Sequence, residues 1–77
     1  MPDSGAPVVE LDTPGDMIRW ARTQAGMTQG QVAEAIGVIR AQIVRWEKNK
    51  ACPSTRHFIE ACAACGFDVV LEPTVHG

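Results

Sequence analysis

Residues 27–53 read MTQGQVAEAIGVIRAQIVRWEKNKACP, and within them a capping threonine, an apolar series, a glycine stop and a second apolar series follow at short intervals. Thr28 is a good N-cap, because its hydroxyl can accept from a first-turn N–H that has no partner inside the helix. Behind it Val32, Ala33 and Ile36 recur at the three- and four-residue spacing of a buried helical face. Gly37 ends that helix: without a Cβ it takes the left-handed backbone that turns the chain. The next apolar set, Val38, Ile43 and Trp46, begins at once. Two short helices joined this closely must cross steeply, as in a helix-turn-helix, where the second helix lies in the major groove of DNA.

The second helix has two faces. Ile43 and Trp46, three residues apart, turn inward, which leaves Arg40, Ala41, Val44, Arg45 and Lys48 along the outer side. Arginine can make a bidentate contact to guanine, while small apolar side chains permit close approach and can touch a thymine methyl.

Charge opposes this reading in sum and supports it in distribution. The net charge is -2, whereas free-standing DNA-binding domains are usually basic. Yet five of the seven Lys and Arg (Arg40, Arg45, Lys48, Lys50 and Arg56) fall within residues 40–56, against Glu47 as that stretch's one acid, while Asp3, Glu10, Asp12 and Asp16 crowd the N-terminal end. A chain polarised this way can present a basic face, with few phosphate contacts and a modest, salt-sensitive affinity.

At 77 residues the chain is expected to form one small domain, whose limited core makes oligomerisation a natural source of stability. No apolar run approaches the ~20 residues of a membrane span, and MPDSGAPVVELD lacks the charged and apolar regions of a signal peptide. The expected location is cytoplasmic, which the three cysteines fit, being odd in number and too few for a disulfide scaffold.

Around the central unit, residues 1–12 read as an N-terminal arm in which Val8–Leu11 could extend as a short strand, and residues 13–66 as the helical domain. Thr13-Pro14-Gly15-Asp16 is a helix start, with a capping hydroxyl, a proline whose missing N–H costs nothing, and an acid near the positive end of the helix dipole. That helix runs to about Ala25 and stops at Gly26. Asn49 is a tolerable left-handed cap after the basic helix. Ser54 caps a fourth helix over about Thr55 to Cys65, ending at Gly66, with Phe58, Ile59, Cys62 and Cys65 at helical spacing. Residues 67–77 form the tail, in which Phe67-Asp68-Val69-Val70-Leu71-Glu72 is β-branched and apolar and reads as a strand closed by Pro73. A lone strand cannot satisfy its backbone groups, so its simplest partner is the same strand of a second molecule. Such a two-fold dimer buries Val69 and Leu71, or Val70 with Phe67, according to register.

Other chemistry is weakly signalled. Cys62-Ala63-Ala64-Cys65 with Cys52 and His57 could be assembled into a zinc site, but Cys62 and Cys65 share a helical face with Phe58 and Ile59, where free cysteine acts as a small hydrophobe. No βαβ pattern supports C-x-x-C redox catalysis. His57 and His76 read as exposed polar residues. No nucleophile–base–acid set, phosphate-binding glycine loop or paired-carboxylate motif occurs, so neither an enzymatic activity nor a metal or cofactor is expected. On helix one, Ile18 and Ala21 occupy the core face, which leaves Met17 unplaced and Trp20 to be covered by the arm, the tail or a dimer mate.

Arg22 with Gly26-Met27-Thr28-Gln29, Val32-Ala33, Ile36-Gly37-Val38, Ile43, Trp46-Glu47 and Pro53-Ser54 together resemble the Cro and phage-repressor (XRE) helix-turn-helix family over about residues 15–66, with no gap. The resemblance implies a mainly α, four-helix, lambda-repressor-like domain. It implies base reading by Arg40, Ala41, Val44 and Arg45. Phosphate contacts would come from Thr28, Gln29, Gln42, Lys48, Lys50 and Arg56, with Gln29 also bracing the reading helix. Arg22 and Glu47 resemble the family's inter-helix ion pair, where the alternative is two solvated side chains. Three departures stand out. Ile39 replaces the usual Ser or Thr cap of the reading helix, forgoing about 1 kcal/mol, and its methyls could meet the DNA instead. Asn49 and Cys52 replace the usual glycine and asparagine after it. A fifth helix common in phage repressors has no counterpart, and GFDVVLEP is more similar to small antitoxin-type regulators with a dimer-forming last strand.

The expected function is sequence-specific DNA binding by a homodimeric repressor at a palindromic operator, with Phe67, Val69, Val70 and Leu71 as the dimer-forming residues. The alternative is an antitoxin or adaptor whose main task is to bind a protein partner such as a cognate toxin, with the acidic arm and Trp20 as its surface. Neither reading involves a membrane.

Overall fold

A computed structural model describes residue 11 and residues 13–70. The arm, apart from Leu11, and the tail from Leu71 onward lie outside the described residues, and with them the possible strand at Val8–Leu11 and His76. Four helices occur in order: α1 (Pro14–Ala25), α2 (Gln29–Ile36), α3 (Arg40–Glu47) and α4 (Thr55–Ala64). None is long and apolar enough to cross a membrane.

Three of the four helices start at a capping side chain, and all four end through the backbone. The hydroxyls of Thr13, Thr28 and Ser54 accept from the N–H of Asp16, Gln31 and His57 at 3.0, 3.0 and 3.1 Å. Thr28 completes a capping box, since its own N–H donates to Gln31 Oε1 at 2.8 Å. α3 begins at Ile39 with no side-chain cap bond. All four helices end alike, with a positive-φ residue (Gly26, Gly37, Asn49 or Gly66). The following N–H then donates back five residues: Met27 to Arg22, Val38 to Ala33, Lys50 to Arg45 and Phe67 to Cys62. This is the Schellman closure, which commonly folds an apolar residue back onto the helix. Met27, Val38 and Phe67 are those residues, each partly buried against the core.

The core takes two or more residues from each helix: Ile18 and Ala21, Val32 and Ala33, Ile43 and Trp46, and Ala61 with Cys65 at the end of α4. α2 packs on both α3 and α4, and α1 packs on the same two. α3 is thereby held from behind by α1 and α2. At the start of α1, a Cβ on Gly15 would run into the carbonyl oxygen of Trp46 and lie 2.9 Å from Asn49 Oδ1. A residue without a side chain is required there because α1 starts against the end of α3.

The structure modifies or narrows several expectations. Among the described residues there is no strand, and residues 67–70 are irregular. Strand pairing needs a second row of backbone groups, and a single chain offers none at this edge. Phe67 instead packs on Trp20 of its own chain, with ring centroids 5.1 Å apart, so the tail is what covers Trp20. Ile59, expected on the apolar face of α4, is 44% exposed, because the buried stripe runs through Phe58, Ala61, Cys62 and Cys65. His57 is half-buried and stacks on Trp46, with rings 5.5 Å apart. Cys62 and Cys65 are core residues, whereas Cys52 is exposed. Burial pushes both core thiols above their ordinary value.

Candidate nucleic-acid interface

α3 separates its residues by direction. Ile43 and Trp46 are sealed in the core, while Arg40, Ala41, Arg45 and Lys48 are exposed and Gln42 and Val44 are half-buried. Lys50 is exposed just beyond the helix. Arg40, Arg45, Lys48 and Lys50 form no ion pair among the described residues. Arg56, at the start of α4, is also exposed, with Nε 3.8 Å from Glu60 Oε2 one turn on.

The acid of this stretch has turned the other way. Glu47 is 6% exposed, and both its oxygens accept from Arg22: Nε to Oε2 at 2.7 Å and Nη2 to Oε1 at 2.9 Å. Arg22 Nη1 donates to the Met27 carbonyl at 3.0 Å. Gln29 Nε2 adds a bond to Glu47 Oε1 at 3.2 Å. One carboxylate on α3 thus ties together α1, the α1–α2 turn and α2. The paired geometry is the strong form of charge-assisted bonding. The hydrogen bond to Glu47 raises the Arg22 pKa although burial opposes it, so the guanidinium stays charged at any ordinary pH. With Glu47 neutralised inside, the outer surface of α3 carries positive charge alone.

The expected DNA-contacting residues fall into three groups. Arg40, Ala41, Val44, Arg45 and Lys48 lie on or border the outward side of α3, with Lys50 close behind. Thr28 and Gln29 sit at the start of α2, each partly committed to the fold. A hydroxyl that accepts a capping bond still has its O–H to donate, and an amide has two N–H groups, so both can serve the fold and a phosphate together. Arg56 stands at the start of α4. Phe67 is folded against Trp20, Val69 and Val70 are exposed, and Leu71 lies outside the described residues. Sequence reasoning missed Gly30, beside which the Arg40 stem passes: a Cβ there would sit 3.8 Å from Arg40 Cδ. The spacing of Gly30 from Thr28 gives no local sign of that contact.

A second feature lies between α1, α4 and the tail. A groove of about 490 Å³ is lined by Met17, Trp20, Phe58, Cys62, Phe67 and Val70, among others. Among the described residues no cluster of three His, Cys, Asp or Glu side chains could hold a metal ion.

Two capped helices joined by a glycine turn, the second buried on one side and cationic on the other, define a helix-turn-helix domain. The model of the family described as Helix-turn-helix matches residues 18–70. The chain belongs to this family, in its Cro and phage-repressor (XRE) form, and is a DNA-binding regulator in that general sense. The family is one of DNA-binding domains rather than of enzymes. No curated protein and no solved structure matched in the corresponding comparisons.

Proposed function

We propose that the protein is a homodimeric repressor that reads a palindromic operator, with Arg40, Ala41, Val44 and Arg45 at base edges. Thr28, Gln29, Gln42, Lys48, Lys50 and Arg56 contact phosphates. The observation that carries this reading is the division of charge on α3 and the turn that follows it: Arg40, Arg45, Lys48 and Lys50 exposed outside with no acidic partner among the described residues, and the carboxylate of Glu47 bound to Arg22 inside. Such a surface suits a polyanion, and a helix of this width enters the major groove. Two protomers would set their α3 helices about 34 Å apart, one helical turn of DNA. The apolar groove beside exposed Val69 and Val70 supports a second copy there.

The same groove also favours the other reading, an antitoxin-like protein with a protein partner. Trp20, assigned to the partner surface in that reading, is half-buried under Phe67, which leaves less of it to offer. One experiment separates the two. The purified protein is titrated onto the DNA upstream of its own gene at several salt concentrations, and the mass of the complex is measured. Two protomers on a two-fold symmetric footprint are expected. A protein that shows no sequence preference at any salt, yet co-purifies stoichiometrically with one small protein, would overturn the repressor reading.

A further inference from the structure

We infer that Ile39 is a specificity-determining residue that reads the C5-methyl group of a thymine. This deepens the operator-reading function proposed above and rests on it. Ile39 is 73% exposed, more than Ile59, Val69 or Val70, the other large exposed hydrophobics among the described residues. It also occupies the N-cap of α3, where it makes no side-chain cap bond, while Thr13, Thr28 and Ser54 all make one. The position therefore forgoes a capping bond and exposes apolar surface together, and neither choice serves the fold. Core contact at this turn is already supplied by Val38, which is partly buried.

Location gives that surface a use. Ile39 immediately precedes Arg40 and Ala41, and residues at the N-terminal end of a recognition helix are the ones that meet base edges. The thymine methyl is the apolar feature of the major groove. β-branching restricts χ1 even at the extended backbone of this N-cap, so Ile39 can offer its methyls with a reduced ordering cost. Hydrogen bonding plays no part in this contact, so it distinguishes thymine from uracil, two bases that differ by this methyl group alone.

The test uses a duplex that the full chain itself selects from a random library, with each thymine replaced in turn by deoxyuridine. For the wild-type protein, one replacement in each half-site should weaken binding about fourfold, the effect of one methyl removed from an apolar contact. Ile39→Ser and Ile39→Ala should bind the parent and that uracil duplex equally. Ile39→Ser should also melt at a higher temperature, because a cap is restored. Selection of a specific duplex whose uracil sensitivity is absent, or persists unchanged in both variants, would overturn the role of Ile39 and leave the DNA-reading function standing. Failure to select any preferred duplex would overturn both.

Discussion

Glu47 and Lys48 are neighbours in sequence and opposite in fate. The carboxylate turns inward and takes three hydrogen bonds from Arg22 and Gln29, whereas the ammonium remains exposed with no acid paired to it among the described residues. The two sides of α3 use charge for different ends. Inside, ions are matched and partly dehydrated, so their value lies in fixing how α1, α2 and α3 meet. Outside, ions of one sign remain hydrated, and their repulsion slightly opposes folding while favouring a polyanionic partner. A protein of net charge -2 can therefore carry a basic working surface, because its acids lie elsewhere or face in.

Disrupting the inner side should have the largest effect on stability. Arg22→Met leaves the Glu47 carboxylate buried without its counter-charge and should cost about 3–5 kcal/mol in chemical denaturation. Pairing it with Glu47→Leu should recover much of that loss, since two apolar groups of similar volume can replace a buried ion pair. A loss of under about 1 kcal/mol for Arg22→Met would mean that the pair behaves like a surface salt bridge. Next in size is the contact that brings α1 against α3: Gly15→Ala places a methyl group against the Trp46 carbonyl and should cost about 1–3 kcal/mol in the same assay.

The outer side should respond in the opposite sense. Lys48→Ala with Lys50→Ala should leave the denaturation midpoint within about 0.5 kcal/mol of wild type, as expected for exposed side chains. A drop as large as that of Arg22→Met would erase the distinction between the two faces. The smallest effect concerns the core thiols of α4. Burial holds Cys62 and Cys65 above their ordinary 9.0, so the unfolded chain releases these protons first. Their contribution to stability is complete below that pH and is lost as pH rises through the higher folded values. Stability measured across pH 9.0 should decline on the alkaline side, and Cys62→Ala with Cys65→Ala should flatten that decline.

The four helices were legible because their ends are written in local chemistry. Thr13, Thr28 and Ser54 open helices; Gly26, Gly37, Asn49 and Gly66 close them; the intervening apolar residues keep helical spacing. The Arg22–Glu47 pair was legible through resemblance rather than spacing, since its members stand 25 residues apart. Gly15 was not legible in this way, because what it accommodates, the Trp46 carbonyl, arrives from another helix. Phe67 as the cover of Trp20 was one of three alternatives the sequence left open, for a physical reason. A β-branched apolar run reads as strand wherever it occurs, but the residue after a helix-ending glycine often folds back onto the helix, and Trp20 still lacked a cover. Those two facts together, both available in the sequence, assign Phe67 to the end of α4.

The most direct test of the account compares Arg45→Ala with Lys50→Ala on a duplex selected by the wild-type protein and on its single-base-pair variants, across a range of salt concentrations. Arg45→Ala should lose about 1–3 kcal/mol on the selected duplex and relax preference at one base pair in each half-site. Lys50→Ala should weaken binding to every duplex alike and reduce the salt slope by about 1. If both variants lose affinity equally on every sequence, or neither loses any, the outer face of α3 is not what reads DNA.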